Sequence, residues 1–185
     1  MINSITIIII SLLLVFANPS FSQDSDEHLM SHKELATIID ELVQFMPDEE
    51  WPSLFSEAYA GMDRKYILPN GETIYLILTD HGAKTPWFKI FIRTKENELI
   101  HAQLAYTKIT NNSTGIEVID EVPHAQFDLT TGTLSSWMYW RAGDNSESST
   151  WTYDRDLSDR FLLTKFDYDH ENDGKVEYKG KLTYD

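Results

Sequence analysis

Cysteine is absent from all 185 residues. Thiol catalysis, disulfide staples and thiolate metal centres are therefore excluded, and stability has to come from packing. Positive charge is scarce: 15 Lys and Arg against 30 Asp and Glu leave a net charge of −15. Such a surface repels nucleic acid and anionic membranes and attracts basic partners. The chain also has no glycine-rich phosphate loop and no Gly-x-Ser-x-Gly elbow, the signatures of nucleotide binding and of serine hydrolases. Carboxylates are so many that no single pair stands out as an acid–base dyad.

Charge of either sign is missing from the side chains of the first 22 residues. Within them, residues 5–17 form an almost unbroken apolar run. That run is shorter than the roughly 20 apolar residues a spanning helix needs, and it fits the h-region of a secretory signal peptide. No Lys or Arg precedes it, so the α-amino group is the only positive charge there. Pro19 breaks the helix, and Ser20-Phe21-Ser22 puts small residues at −3 and −1. The expectation is cleavage after Ser22, export to the bacterial periplasm or beyond, and no membrane span once residues 1–22 are removed. With no cysteine at the new terminus, a lipid anchor is not expected. About 163 residues remain, ordinary for one domain. Residues 23–30 read as an acidic, flexible leader and 31–185 as a single domain. The negative charge is uneven. Residues 24–63 hold eleven acids against one lysine, residues 64–143 eight of each sign, and residues 144–185 eleven acids against six bases.

The expected fold class is α+β: an N-terminal amphipathic helix followed by a mostly antiparallel β meander of about eight or nine strands. Ser31-His32-Lys33-Glu34 fits a capping box. Leu35, Ile38, Ile39, Leu42 and Met46 then recur at helical spacing until Pro47, where proline restricts the residue before it. Residues 48–59 could form a second, shorter helical turn, ended by Gly61. Beyond it the period changes to two. Pro69-Asn70-Gly71 between residues 65–68 and 72–79 is a hairpin signal, since Asn-Gly accepts positive φ. Further strands are expected over 87–94, 99–109, 116–122, 133–141, 150–153, 160–168 and 175–184, with loops at 111–115 and 143–148.

Candidate sites are few. Asp169, Glu171 and Asp173, followed by Gly174, resemble the opening of a calcium loop, but position twelve is Gly180 instead of a bidentate glutamate. A tight turn at Asn172-Asp173-Gly174 competes with that reading. His28 and His32 lie four apart, a metal-ligand spacing on a helix, but at a helix start. The dense aromatic cluster offers a binding surface instead: Trp137, Tyr139, Trp140 and Trp151, with the acids Asp144 and Glu147 beside it. Alternation puts Trp137 and Tyr139 on one strand face and Trp140 on the other. Trp140, next to the polar loop, is the expected exposed anchor. Trp137 facing out is the competing arrangement.

The stretch Leu-Ala-Thr-Ile-Ile-Asp-Glu-Leu-Val-Gln-Phe-Met-Pro-Asp-Glu-Glu-Trp over residues 35–51, continuing to 59, resembles the opening of the YezG-like immunity proteins. Residues 151–169, with Arg160-Phe161 before Phe166-Asp167-Tyr168-Asp169, are similar to that family's closing strands. The resemblance covers about 45 residues at the two ends of the domain. It implies a toxin-neutralising binding protein without catalytic residues. The family is cytoplasmic and this chain carries an export signal; residues 127–168 are similar, more faintly, to exported β-rich immunity proteins that protect against cell-wall hydrolases. The expected function is thus an exported, non-enzymatic immunity or inhibitor protein that neutralises a basic toxin or hydrolase and needs no cofactor. The alternatives are an exported carboxylate-dependent hydrolase or a calcium- or ligand-binding envelope module.

Overall fold

The computed structural model describes residues 27–45, 62–81, 85–110, 113–140, 145–157, 160–170 and 178–181. The expected signal segment, the second helical turn at 48–59 and the Met46–Trp51 motif of the resemblance lie outside them. The described chain is mainly β, with one short helix near its start and thirteen strands whose recorded pairings are all antiparallel.

The helix, α1 (His32–Leu42), begins as the sequence predicts. The Ser31 hydroxyl accepts from the Glu34 amide at 3.3 Å, and the Glu34 carboxylate accepts from the Ser31 amide at 3.0 Å. Both bonds satisfy amides that a helix start otherwise leaves open. Lys65 Nζ reaches the same carboxylate at 2.7 Å and His28 Nε2 lies 3.0 Å from it. The Lys65 contact, with the Ser31 bonds and His28, holds Glu34 well below the usual carboxylate range. A 3-10 turn, Val43–Phe45, continues the helix. The leader is not wholly an open segment: β1 (Glu27–Leu29) precedes α1 and pairs with β2 (Arg64–Ile67). Residues 27–29, Glu-His-Leu, carry only one apolar side chain, but a strand edge needs backbone groups more than apolar side chains.

The first sheet runs in sequence order through β1, β2, β3 (Thr73–His81), β4 (Pro86–Arg93) and β5 (Leu99–His101), with β8 (Glu121–Pro123) also on β4. The β2–β3 hairpin turns at Gly71, whose φ of +86° is the left-handed value the Asn-Gly pair predicts. A second sheet holds β9 (Gln126–Asp128), β10 (Thr133–Trp140), β11 (Asn145–Tyr153), β12 (Phe161–His170) and β13 (Tyr178–Lys181), again in sequence order. Between them in sequence, β6 (Leu104–Thr110) and β7 (Ser113–Ile119) form a two-stranded ribbon.

The larger core lies between the two sheets. Leu76, Ile90 and Ile92 of the first meet Phe127, Leu134, Trp151 and Leu163 of the second, with Leu104 and Val122 between. A smaller core lies on the first sheet's other face, where Leu35, Ile38 and Leu42 of α1 cover Ile77, Phe91 and Leu99. The first sheet is therefore buried on both faces, and β4 reads Phe88-Lys89-Ile90-Phe91-Ile92 without an exposed position. Glu41 clamps α1 to β4 by accepting from Nη1 and Nη2 of Arg93, at 2.5 and 3.0 Å. No helix among the described residues is long and apolar enough to cross a membrane.

The strand count exceeds the expected eight or nine because β1 and β9 are additional strands and because two expected strands each split. Residues 99–109 split into β5 and β6 at Ala102, which is fully buried and donates its amide to Ile90. Residues 116–122 split into β7 and β8 at Asp120. In both places the hydrophobic pattern continues while the chain moves to a different sheet.

Candidate protein-binding surface

β10 alternates as a strand with one covered face. Leu134, Ser136 and Met138 are buried, and Trp137 points the other way, 42% exposed. Its neighbours explain why it is not covered. Trp137 pairs with Ser148 on β11, and the adjoining outward positions Ser146, Thr150 and Thr152 are also small and polar. A helix or sheet gains little by packing on such a face.

Trp137 is held by His124. The two rings stack with centroids 3.8 Å apart and planes 5° from parallel. His124 sits at φ +46°, a left-handed conformation uncommon for a residue with a side chain. The backbone around it is fixed from both sides: its amide donates to the Pro86 carbonyl at 2.8 Å, and the Pro123 carbonyl accepts from Ser136 Oγ at 2.7 Å. An exposed tryptophan locked in one orientation is the kind of side chain that dominates protein interfaces, because little freedom remains to be lost on binding.

The other aromatic and acidic candidates separate. Trp151 is fully buried, with Nε1 donating to the Ala105 carbonyl at 2.6 Å, so it belongs to the core and leaves the surface set. Glu147 is not in a loop. It lies in β11, where Tyr106 donates its hydroxyl to the carboxylate. Burial first, and then the charges of Glu147 and Glu117, push the Tyr106 hydroxyl up. Tyr139 and Trp140 pair with Ser146 and Asn145 in backbone register; their side chains, and all of Asp144, lie outside the described residues. The exposed tryptophan among the described side chains is Trp137; the expected anchor, Trp140, lies outside them.

The calcium reading gains no geometry. Asp169 is buried near the end of β12 opposite Ser146, while Glu171 and Asp173 lie outside the described residues. No group of three or more His, Asp or Glu able to hold a metal occurs among the described residues. His28, of the His28–His32 pair, meets Glu34 at 3.0 Å.

One buried polar cluster has the composition of a catalytic site. Glu72, 5% exposed, accepts from the Tyr153 hydroxyl and from Asn70 Nδ2 at 2.8 Å, with Arg160 Nη2 3.9 Å from its other oxygen. It joins the β2–β3 turn to the end of β11 and to the residue before β12, and so fastens the two sheets at one end. Burial, followed by the Glu72 contact, pushes the Tyr153 hydroxyl up, away from any role as a base.

Several of the described cations are committed to ion pairs within the molecule. Among the described residues Lys65, Lys89, Arg93, Arg155, Arg160 and Lys165 each make an ion pair with an acid of this chain. The excess of acids therefore dominates the field outside the protein. Nothing in the sequence marks His124 as Trp137's partner: the two residues are thirteen apart and meet only because β8 and β10 are neighbours in space. Compared with protein-family models, curated proteins and solved structures, the chain matches none.

Proposed function

We propose that this is an exported, non-enzymatic binding protein of the bacterial envelope, an immunity or inhibitor protein that neutralises a basic toxin or cell-wall hydrolase. The observation that carries the reading is Trp137, exposed and orientationally fixed on a sheet face where its β11 neighbours are small and polar. The net charge of −15 supports a basic partner, and the resemblance of residues 35–59 to immunity proteins supports inhibition over catalysis. In this reading the acidic field steers the encounter and Trp137 supplies the lasting contact.

The test is association kinetics against a panel of basic periplasmic toxins and cell-wall hydrolases. Binding to the true target slows markedly as salt rises past the point where the screening length falls below about 8 Å. Trp137→Ala weakens that binding by about 2 kcal/mol or more and leaves the melting temperature nearly unchanged. Salt-independent association across the panel, or full affinity in the variant, refutes the reading. Export has its own readout: intact mass from the envelope fraction gives a chain starting at Gln23, and a mass that retains residues 1–22 refutes it.

A further inference from the structure

The chain holds a single Asn-Gly step, Asn70-Gly71, and it lies in the turn between β2 and β3. Such a step carries its own chemistry. The backbone nitrogen of the residue after an asparagine can attack the side-chain amide carbon, and glycine, with no Cβ, shields that nitrogen least. A nitrogen–carbon bond forms, ammonia leaves, and a five-membered imide remains. Water then opens the imide at either carbonyl, giving an aspartyl residue or an isoaspartyl residue whose backbone runs through the former side chain. Water is the only co-reactant. It has access here: Gly71 is exposed and Asn70 half-buried. Beyond the chain neighbours, a Cβ at Gly71 would meet nothing among the described residues nearer than Lys95 Cε at 3.8 Å.

The fold holds the reacting atoms apart. The Gly71 amide donates to the Leu68 carbonyl at 2.8 Å. Both polar atoms of the Asn70 side chain are engaged by one residue: Nδ2 donates to the Glu72 carboxylate at 2.8 Å, and Oδ1 accepts from the Glu72 amide at 3.0 Å. Attack requires the side chain to leave Glu72 and the Gly71 nitrogen to lose the proton it gives to Leu68. Glu72 is itself fixed by the Tyr153 hydroxyl, with Arg160 Nη2 3.9 Å from its other oxygen. The fastening between the two sheets therefore also sets how long the amide survives.

The product turns one of these contacts from attraction to repulsion. Where Nδ2 now donates to Glu72, a second carboxylate would stand with no proton to offer. Two carboxylates in one site repel each other, and both compete for Tyr153 and Arg160. The isoaspartyl form also adds a backbone carbon to the turn that the Leu68 bonds to Gly71 and Glu72 close.

We infer that Asn70 is a self-modification site: its amide is lost to attack by the Gly71 nitrogen, the Glu72 contact restrains that loss in the intact fold, and the acid formed loosens the junction of the two sheets. The site stands apart from Trp137 and from the binding function.

The experiment ages the full chain at mildly alkaline pH, native and in urea, and follows the amide-to-acid mass change at Asn70 by peptide mapping. In urea Asn70 converts before any other asparagine, and in the native protein it converts at least tenfold more slowly. Glu72→Ala, which leaves Nδ2 without its acceptor, raises the native rate at least fivefold. Converted protein, separated by its added negative charge, and Asn70→Asp both melt below the parent, while ageing leaves the Tm of Asn70→Ser unchanged. If Glu72→Ala does not fold, the native-to-urea ratio and the Asn70→Asp melt decide. Equal rates with and without urea, a native rate unmoved in folded Glu72→Ala, converted protein that melts like the parent, or an equal loss of Tm in aged Asn70→Ser each overturn the inference.

Discussion

Asp63 is the residue whose perturbation the structure specifies most closely. It stands just before β2 and is 5% exposed. Its carbonyl accepts from the Met30 amide at 2.8 Å, and its carboxylate accepts from the Leu78 amide at 2.9 Å, beside the register shift between Leu78 and Asp80. Burial pushes its pKa up to about 6, although the Leu78 amide and His32 pull the other way. The folded state therefore holds its proton more tightly than the unfolded chain, whose carboxyl titrates near 3.8. Stability from this group is fully present below about pH 4 and is lost as the pH rises through about 6. A shift of about two units corresponds to about 3 kcal/mol at most. Asp63→Asn keeps an acceptor for the Leu78 amide and removes the charge. At pH 7 the variant should be more stable than the parent by up to about 3 kcal/mol, a rise in Tm of roughly 6–12 °C for a chain of this size. The gain should close as the pH falls to 4. Paired melts and denaturant titrations from pH 4 to 8 measure it. Glu41, held down by Arg93, and Asp128, held down by Thr131 and Thr130, make both proteins less stable in acid, and the difference between the two proteins cancels that common slope. A variant no more stable at pH 7, or a gap that stays constant down to pH 4, refutes the argument.

Two further perturbations test the packing. Trp151→Ala removes a fully buried indole and its bond to Ala105, and should cost about 3–5 kcal/mol in denaturant unfolding, clearly more than Trp137→Ala, which removes a part-exposed ring and its stack on His124. Tyr153→Phe removes the hydroxyl that Glu72 accepts from and should cost about 1–3 kcal/mol; an unchanged melt would show that Asn70 and Arg160 alone hold the two sheets together at that end.

Local chemistry was legible in the sequence where the physics is local. The Ser31–Glu34 box and the Asn70-Gly71 turn are each decided within a few residues, and both stand where the sequence puts them. Strand periodicity says which residues share a face but not which sheet the face belongs to. That is why Ala102 and Asp120 read as interior to single strands, and why β9, only three residues long, was not predicted at all. The same limit separates Trp137 from Trp151. Trp137 and Trp151 are alike in composition and setting, and only the position of the first sheet makes one a core residue and the other a surface residue. Glu147 follows the same rule: it lies two residues before Ser149 on the covered face of β11, so a charge that reads as solvent-facing is turned toward Tyr106.

The Trp137–His124 stack is hard to account for by folding alone. A side-chain-bearing residue in the left-handed region costs about 1–2 kcal/mol, and a stacked aromatic pair contributes about 0.5–1.5 kcal/mol beyond the area it buries. The two nearly cancel, and Trp137, 42% exposed, adds less by burial than a core tryptophan does. A serine or threonine at that position, like those around it, would leave the sandwich core intact. Were stability the whole reason for the arrangement, the left-handed turn at His124 could be relaxed without loss. Gain of stability on replacing His124 by glycine, together with loss of partner binding, is the pattern this reasoning requires: glycine removes the backbone strain and at the same time unlocks the ring that the proposed function assigns to the partner.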